Sequence, residues 1–172
     1  MLRIVGIVMI VCGSAGLGFA LSRECSERVK MLETIRLFVI LLNGETAVGC
    51  VSLPEAFLHT GRRMGGAFGT FLEETSHELE MRSGETFGEI FQRCASACHV
   101  GDALPKEEYE RFLAFGEGLG FLDSDTQKQK LKLYEQELST EIAKLRREAP
   151  GKQKLCRGLG IYGGILLAIL VL

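Results

Sequence analysis

Apolar positions follow two different patterns along the 172 residues. At both ends they are continuous. From Ile4 to Leu21 there is no charge, and Ser14 is the one clearly polar side chain. These 18 residues would make a helix about 27 Å long, close to the roughly 30 Å hydrocarbon core of a bilayer. Gly158 to Leu172 adds 15 uncharged residues, about 22 Å as a helix. Leu155 and Cys156 extend that run if Arg157 snorkels its guanidinium to the headgroups. The pattern predicts transmembrane helices over 1–22 and 155–172, with a separate domain over 23–154. A cleaved signal peptide is the alternative for the first run, but no small-x-small site precedes a mature start, and a retained anchor is expected.

Between the ends the apolar residues recur at helical spacing. Val29, Leu32, Ile35, Val39 and Leu42 mark one face of a helix. The run Leu37 to Leu42 is apolar all round, which predicts deep burial. Asn43-Gly44 weakens or ends this helix, with one more turn possible through Val48. Ser52-Leu53-Pro54-Glu55 and Thr86-Phe87-Gly88-Glu89 are two helix starts, each with a capping hydroxyl and a glutamate three residues on. Phe68, Phe71, Leu72 and Leu79 mark a helix that ends near Ser83-Gly84. Pro105 opens another, with Tyr109, Phe112, Leu113 and Phe115, weakened at Gly116 and Gly118 and stopped by Gly120. The longest follows Asp123 to Gln127 and carries the stripe Leu131, Tyr134, Leu138, Ile142 and Leu145, with Asp123 or Ser124 as its N-cap and Gly120 closing the preceding helix in a left-handed conformation. No segment alternates as a half-buried strand does. The fold class is therefore all-α: a bundle of about six helices between two membrane helices.

Composition adds mostly exclusions. A net charge of -2 provides no basic field for nucleic acid. Of the six cysteines, Cys94 and Cys98 stand one helical turn apart before His99. A structural zinc site needs four ligands, and His59 and His77 form no matching pair, so core packing is expected for these thiols. The glycines of Gly61-Arg62-Arg63-Met64-Gly65-Gly66 lack the lysine of a phosphate loop. No catalytic residue, metal, cofactor or small-molecule substrate is expected. Within the spans, Ser14-x-x-x-Gly18 and Gly160-x-x-x-Gly164 place small residues one turn apart, as close helix contact requires.

Three segments together resemble the stage III sporulation protein AB family of endospore-forming bacteria. They are Leu42-x-x-Glu45 with Ser52-Leu53-x-Glu55-Ala56; Phe115-Gly116-x-x-Leu119-Gly120-x-x-Asp123-x-x-x-Gln127; and Lys154-x-x-x-Leu159-Gly160-x-x-Gly163-Gly164 with its apolar tail. Ser52 stands where that family's pattern often has proline. The resemblance implies a component of the channel between mother cell and forespore, similar to the platform proteins of type II secretion and type IV pilus machines. It further implies a partner ATPase like stage III sporulation protein AA, other membrane components of the channel as partners, and a place in the mother-cell membrane. On the same basis Glu45, Glu55, Gly116, Leu119, Gly120, Asp123 and Gln127 are family-motif positions with a structural or partner-binding role.

Orientation follows from basic residues beside the spans. Arg23, Arg28, Lys30, Lys152, Lys154 and Arg157 lie on the domain side, against Arg3 alone outside, which predicts a cytoplasmic domain. A cysteine reporter at Lys130, on a cysteine-depleted background, is expected to resist membrane-impermeant thiol reagents in intact cells. Ready labelling would reverse the orientation.

Overall fold

The computed structural model describes the backbone of residues 2–48, 51–81, 84–120, 126 and 128–148, with side chains described from Arg23 onward except at 47 and 48. It contains α1 Leu2–Val48, α2 Leu53–Met64, α3 Gly66–Glu80, α4 Phe87–Ala97 and α5 Lys106–Leu119. A sixth helix, α6, covers 128–148. No strand occurs among the described residues. The chain divides into two compact units, Met31–Thr140 and the pair Met1–Lys30 with Glu141–Leu172. Among the described residues no helix is long and apolar enough to cross a membrane. The runs 4–21 and 158–172, with Ser14, Gly18, Gly160 and Gly164, fall outside the residues whose side chains are described.

Unit Met31–Thr140 is organised around phenylalanine. Phe38, Phe57, Phe71, Phe91 and Phe112 are fully buried. The Phe91 ring lies 5.2 Å from Phe71 and 5.1 Å from Phe112, and Phe38 meets Phe57 edge-on at 5.5 Å. Such tilted and edge-to-face pairs add to the gain from area burial alone. Leu32, Ile35, Val39 and Leu42 of α1 are buried with them, as their spacing predicts. Leu37 and Ile40 are not: they stay 47% and 42% exposed. A helix turns about 100° per residue, so a six-residue apolar run faces every side while the core covers one. The helix also passes through Asn43 and Gly44 and ends at Val48.

Both expected helix starts are present, with different caps. At Thr86 the box is complete. The Thr86 N–H and hydroxyl donate to Glu89 Oε2 at 2.7 and 2.8 Å, and the Glu89 N–H donates to Thr86 Oγ1 at 3.4 Å. Ser52 takes the N-cap position of α2 with Pro54 in the first turn, but its hydroxyl makes no capping bond. Each start sends the phenylalanine five residues after its cap, Phe57 or Phe91, into the core.

Glycine sets the closest helix contacts. An ideal Cβ on Gly61 would meet the Gly69 carbonyl oxygen at 2.9 Å, and one on Gly69 would meet the Gly61 oxygen at 2.7 Å. Backbones of α2 and α3 therefore touch, joined by Gly65 and Gly66, both at positive φ. On α5 a Gly116 Cβ would fall 2.2 Å from Phe91, and a Gly120 Cβ 2.7 Å from Phe87. Neither Gly116 nor Gly118 breaks the helix, which runs on to Leu119. Gly120 is right-handed, with φ -75 and ψ -16, not left-handed as expected. Its lack of a side chain serves packing against Phe87 and not helix closure. A left-handed helix end occurs instead at α4, where His99 has φ 55 just after the C-cap and the Val100 N–H reaches back to the Ala95 carbonyl at 3.1 Å.

In α6, Leu131 and Leu138 are buried, and Tyr134 stacks on Phe115 at 4.2 Å. Arg36 on α1 donates to Glu135 on α6 at 3.0 Å. The expected helix end at Ser83-Gly84 comes earlier, after Glu80. Asp123, Ser124 and Gln127 lie outside the described residues.

One substitution tests the aromatic core. Gly116→Ala adds a methyl where Phe91, hemmed in by Phe71 and Phe112, has nowhere to move, and it is expected to cost about 1–3 kcal/mol. Urea unfolding of residues 23–153 should show a lower midpoint at an unchanged slope. An unchanged midpoint would mean that the ring yields.

Candidate functional site

The five family-motif positions among the described residues separate into two groups once placed in the fold. Gly116, Leu119 and Gly120 are packing residues: the two glycines admit Phe91 and Phe87, and Leu119 is buried at 3% exposure. Glu45 and Glu55 lie near the surface and belong to one polar face. On α2, Ala56, Phe57, Thr60 and Gly61 point inward. Glu55, His59, Arg62 and Arg63 occupy the opposite side at i, i+4, i+7 and i+8. Glu45 joins them from the end of α1. Its Oε1 accepts from Arg63 Nη1 at 3.3 Å, and its Oε2 lies 3.4 Å from His59 Nδ1. Glu55 and Arg62 are exposed on either side of this cluster.

The arrangement is a patch of alternating charge on a stiff support. Exposed ion pairs add little stability, so these contacts chiefly hold Glu45, His59 and Arg63 in a fixed relation. Sequence spacing points to Arg62 and Arg63 and, through the motif, to Glu45 and Glu55. It does not reveal His59 as a partner of Glu45, because that contact spans 14 residues between two helices. Beneath the patch, Thr60 Oγ1 is buried and has no hydrogen-bond partner among the described residues.

A second polar cluster lines a cavity of about 400 Å³ at the α4–α5 loop, among Ser96, His99, Asp102, Lys106 and Tyr109. Its groups engage one another: Ser96 Oγ lies 3.2 Å from the Tyr109 hydroxyl, and His99 Nδ1 lies 3.4 Å from Asp102. Nearby, Arg93 is held between Glu78 at 2.9 Å and Glu85 at 2.7 Å. These bonds lower the Glu78 pKa and raise that of Arg93.

Of the two thiols expected to pack in the core, Cys94 does and Cys98 does not. Cys94 is buried, and burial raises its pKa. Cys98 is half-buried and donates to Glu74 Oε2 at 3.2 Å. Burial first, then the Glu74 carboxylate, pushes its pKa up to about 11. Among the described residues no three His, Cys, Asp or Glu side chains gather around a possible metal position. Alkylation of Cys98 at neutral pH should therefore be much slower than that of an ordinary thiol, and should accelerate as pH rises toward 11. Fast labelling at pH 7, followed by mass spectrometry of the peptide, would contradict this environment.

The chain matches the family model for stage III sporulation protein AB over residues 3–172. It is 24% identical to the stage III sporulation protein AB of Bacillus subtilis (strain 168), over 172 residues that cover 100% of both chains. No solved structure matches it. A match over nearly its whole length, with the motif glycines seated against Phe87 and Phe91, makes this chain a member of the stage III sporulation protein AB family.

Proposed function

We propose that this sporulation protein is a non-enzymatic membrane platform in the channel between mother cell and forespore, and that it docks a secretion-type ATPase through the polar face of α2. One observation carries the reading. The fold gathers the motif carboxylates Glu45 and Glu55 with His59, Arg62 and Arg63 on one exposed face. That face is backed by the backbone-to-backbone contact of Gly61 and Gly69. A docking platform needs such a rigid, charged and accessible surface. Clustered charge raises association rates and enforces register more than it adds affinity.

The remaining parts of the reading follow from the sequence. The two apolar runs act as anchors, one at each end of the domain, and both leave the domain on the same side of the membrane. Basic residues beside them keep residues 23–154 in the mother-cell cytoplasm, where an ATPase like stage III sporulation protein AA is at hand. The other membrane components of the channel complete the set of partners. A regulator that senses redox state or metal through Cys94 and Cys98 is disfavoured by the upward shift of both thiol pKa values.

Two measurements test the proposal together. Calorimetric titration of residues 23–153 with ATP should give no binding and no turnover. Pull-down of the ATPase by the full chain should succeed and should fall at least tenfold for Glu55→Lys combined with Arg62→Glu, with the thermal midpoint unchanged. Saturable ATP binding, or ATPase capture indifferent to that double reversal, would refute the platform reading or its docking face respectively.

A further inference from the structure

The outer side of α2 carries its charges in an order that a second copy of the chain can match. Glu55, Leu58, His59 and Arg62 recur at i, i+3, i+4 and i+7 and form one stripe. It lies opposite the side that buries Ala56, Phe57, Thr60 and Gly61. Glu55 and Arg62 are exposed at its two ends, and Leu58 is half-exposed between them. Glu45 engages Arg63 and His59. Glu55 and Arg62, by contrast, form no ion pair among the described residues.

The helix dipole favours an acid in the first turn and a base in the last. It does not require them to share a stripe, or an apolar side chain to stay half-exposed between them. Seven residues turn a helix by about 700°, so Glu55 and Arg62 stand roughly 20° apart around the axis and about 10 Å apart along it. We infer that this stripe pairs with the same stripe of a second copy, the two α2 helices lying antiparallel about a twofold axis between Leu58 and His59. Rotation about that axis sets Glu55 against Arg62 of the second copy, and Arg62 against its Glu55. Leu58 meets His59 of the second copy at the centre. An isologous contact makes each of these pairs twice. Packed helices lie about 8–10 Å apart, a gap that a glutamate and an arginine side chain together bridge. The antiparallel arrangement also opposes the two helix dipoles. Exposed ion pairs hold weakly, so the association is reversible. The face is the one proposed above for the ATPase, and on that reading, which this step rests on, self-pairing and docking exclude one another.

The full chain at high concentration in mild detergent, on a cysteine-depleted background, provides the test. With Leu58→Cys a short bis-maleimide should join two copies, and with Lys130→Cys on α6 it should not. Glu55→Lys or Arg62→Glu alone should cut the yield by at least about fivefold, because like charges then face each other at both ends. Mixing the two variants should restore the link between unlike chains. Both changes in one chain should restore it too, with thermal midpoints as in the parent. No cross-link at Leu58→Cys, a yield indifferent to the single reversals, or no recovery in the mixture would overturn the inference. The ATPase separates it from the docking reading, since double reversal restores self-pairing but not ATPase capture. A cross-link that follows the reversals yet survives excess ATPase supports self-pairing and refutes the docking face. ATPase capture that responds to charge while no cross-link forms leaves the docking face standing and refutes self-pairing.

Discussion

Much of the packing in Met31–Thr140 depends on the absence of a side chain at Gly116. Phe91 occupies the space that even a methyl there would take, and from that position it reaches Phe57, Phe71, Phe87 and Phe112. Those rings come from α2, α3, α4 and α5, so a single close approach lets four helices share one cluster. Each phenyl ring removed from water contributes roughly 1.5–3 kcal/mol before entropy is counted. The same approach turns Phe115, one residue earlier, toward Tyr134 of α6, and Phe38 of α1 meets Phe115 at 6.5 Å.

The polar face proposed for docking is downstream of that packing. α2 can keep Glu55, His59, Arg62 and Arg63 outward because Ala56, Phe57, Thr60 and Gly61 are buried on its inner side. Thr60 is the imperfect member, with a buried hydroxyl that finds no partner among the described residues.

The sequence made helical stripes visible because their period is local. Leu131, Leu138, Ile142 and Leu145 could be read from spacing alone, as could the reciprocal cap of Thr86 and Glu89. The roles of glycine could not. Gly61 and Gly69 sit within helices and Gly65 and Gly66 between them, and nothing in the string distinguishes a glycine that lets two backbones touch from one that lets the chain turn. Gly120 was misread for the same reason: a glycine after a helix usually closes it in a left-handed turn, whereas here Phe87 claims the space. Burial of Leu37 and Ile40 was overestimated because composition does not say how many faces of a helix find neighbours. The pairing of His59 with Glu45 was invisible because it depends on how α1 crosses α2, which no local pattern encodes.

The contact between Gly61 and Gly69 also has a mechanical meaning. Only where the two bare backbones cross can α2 and α3 lie this close, and a slide of one turn would bring the side chain of Phe57 or Glu73 into the gap. Sliding is therefore stepped: the helices rest in one notch and must part before they reach another. A pull on Arg62 would be borne by the hairpin as a whole, because the notch resists shear along the helix axis.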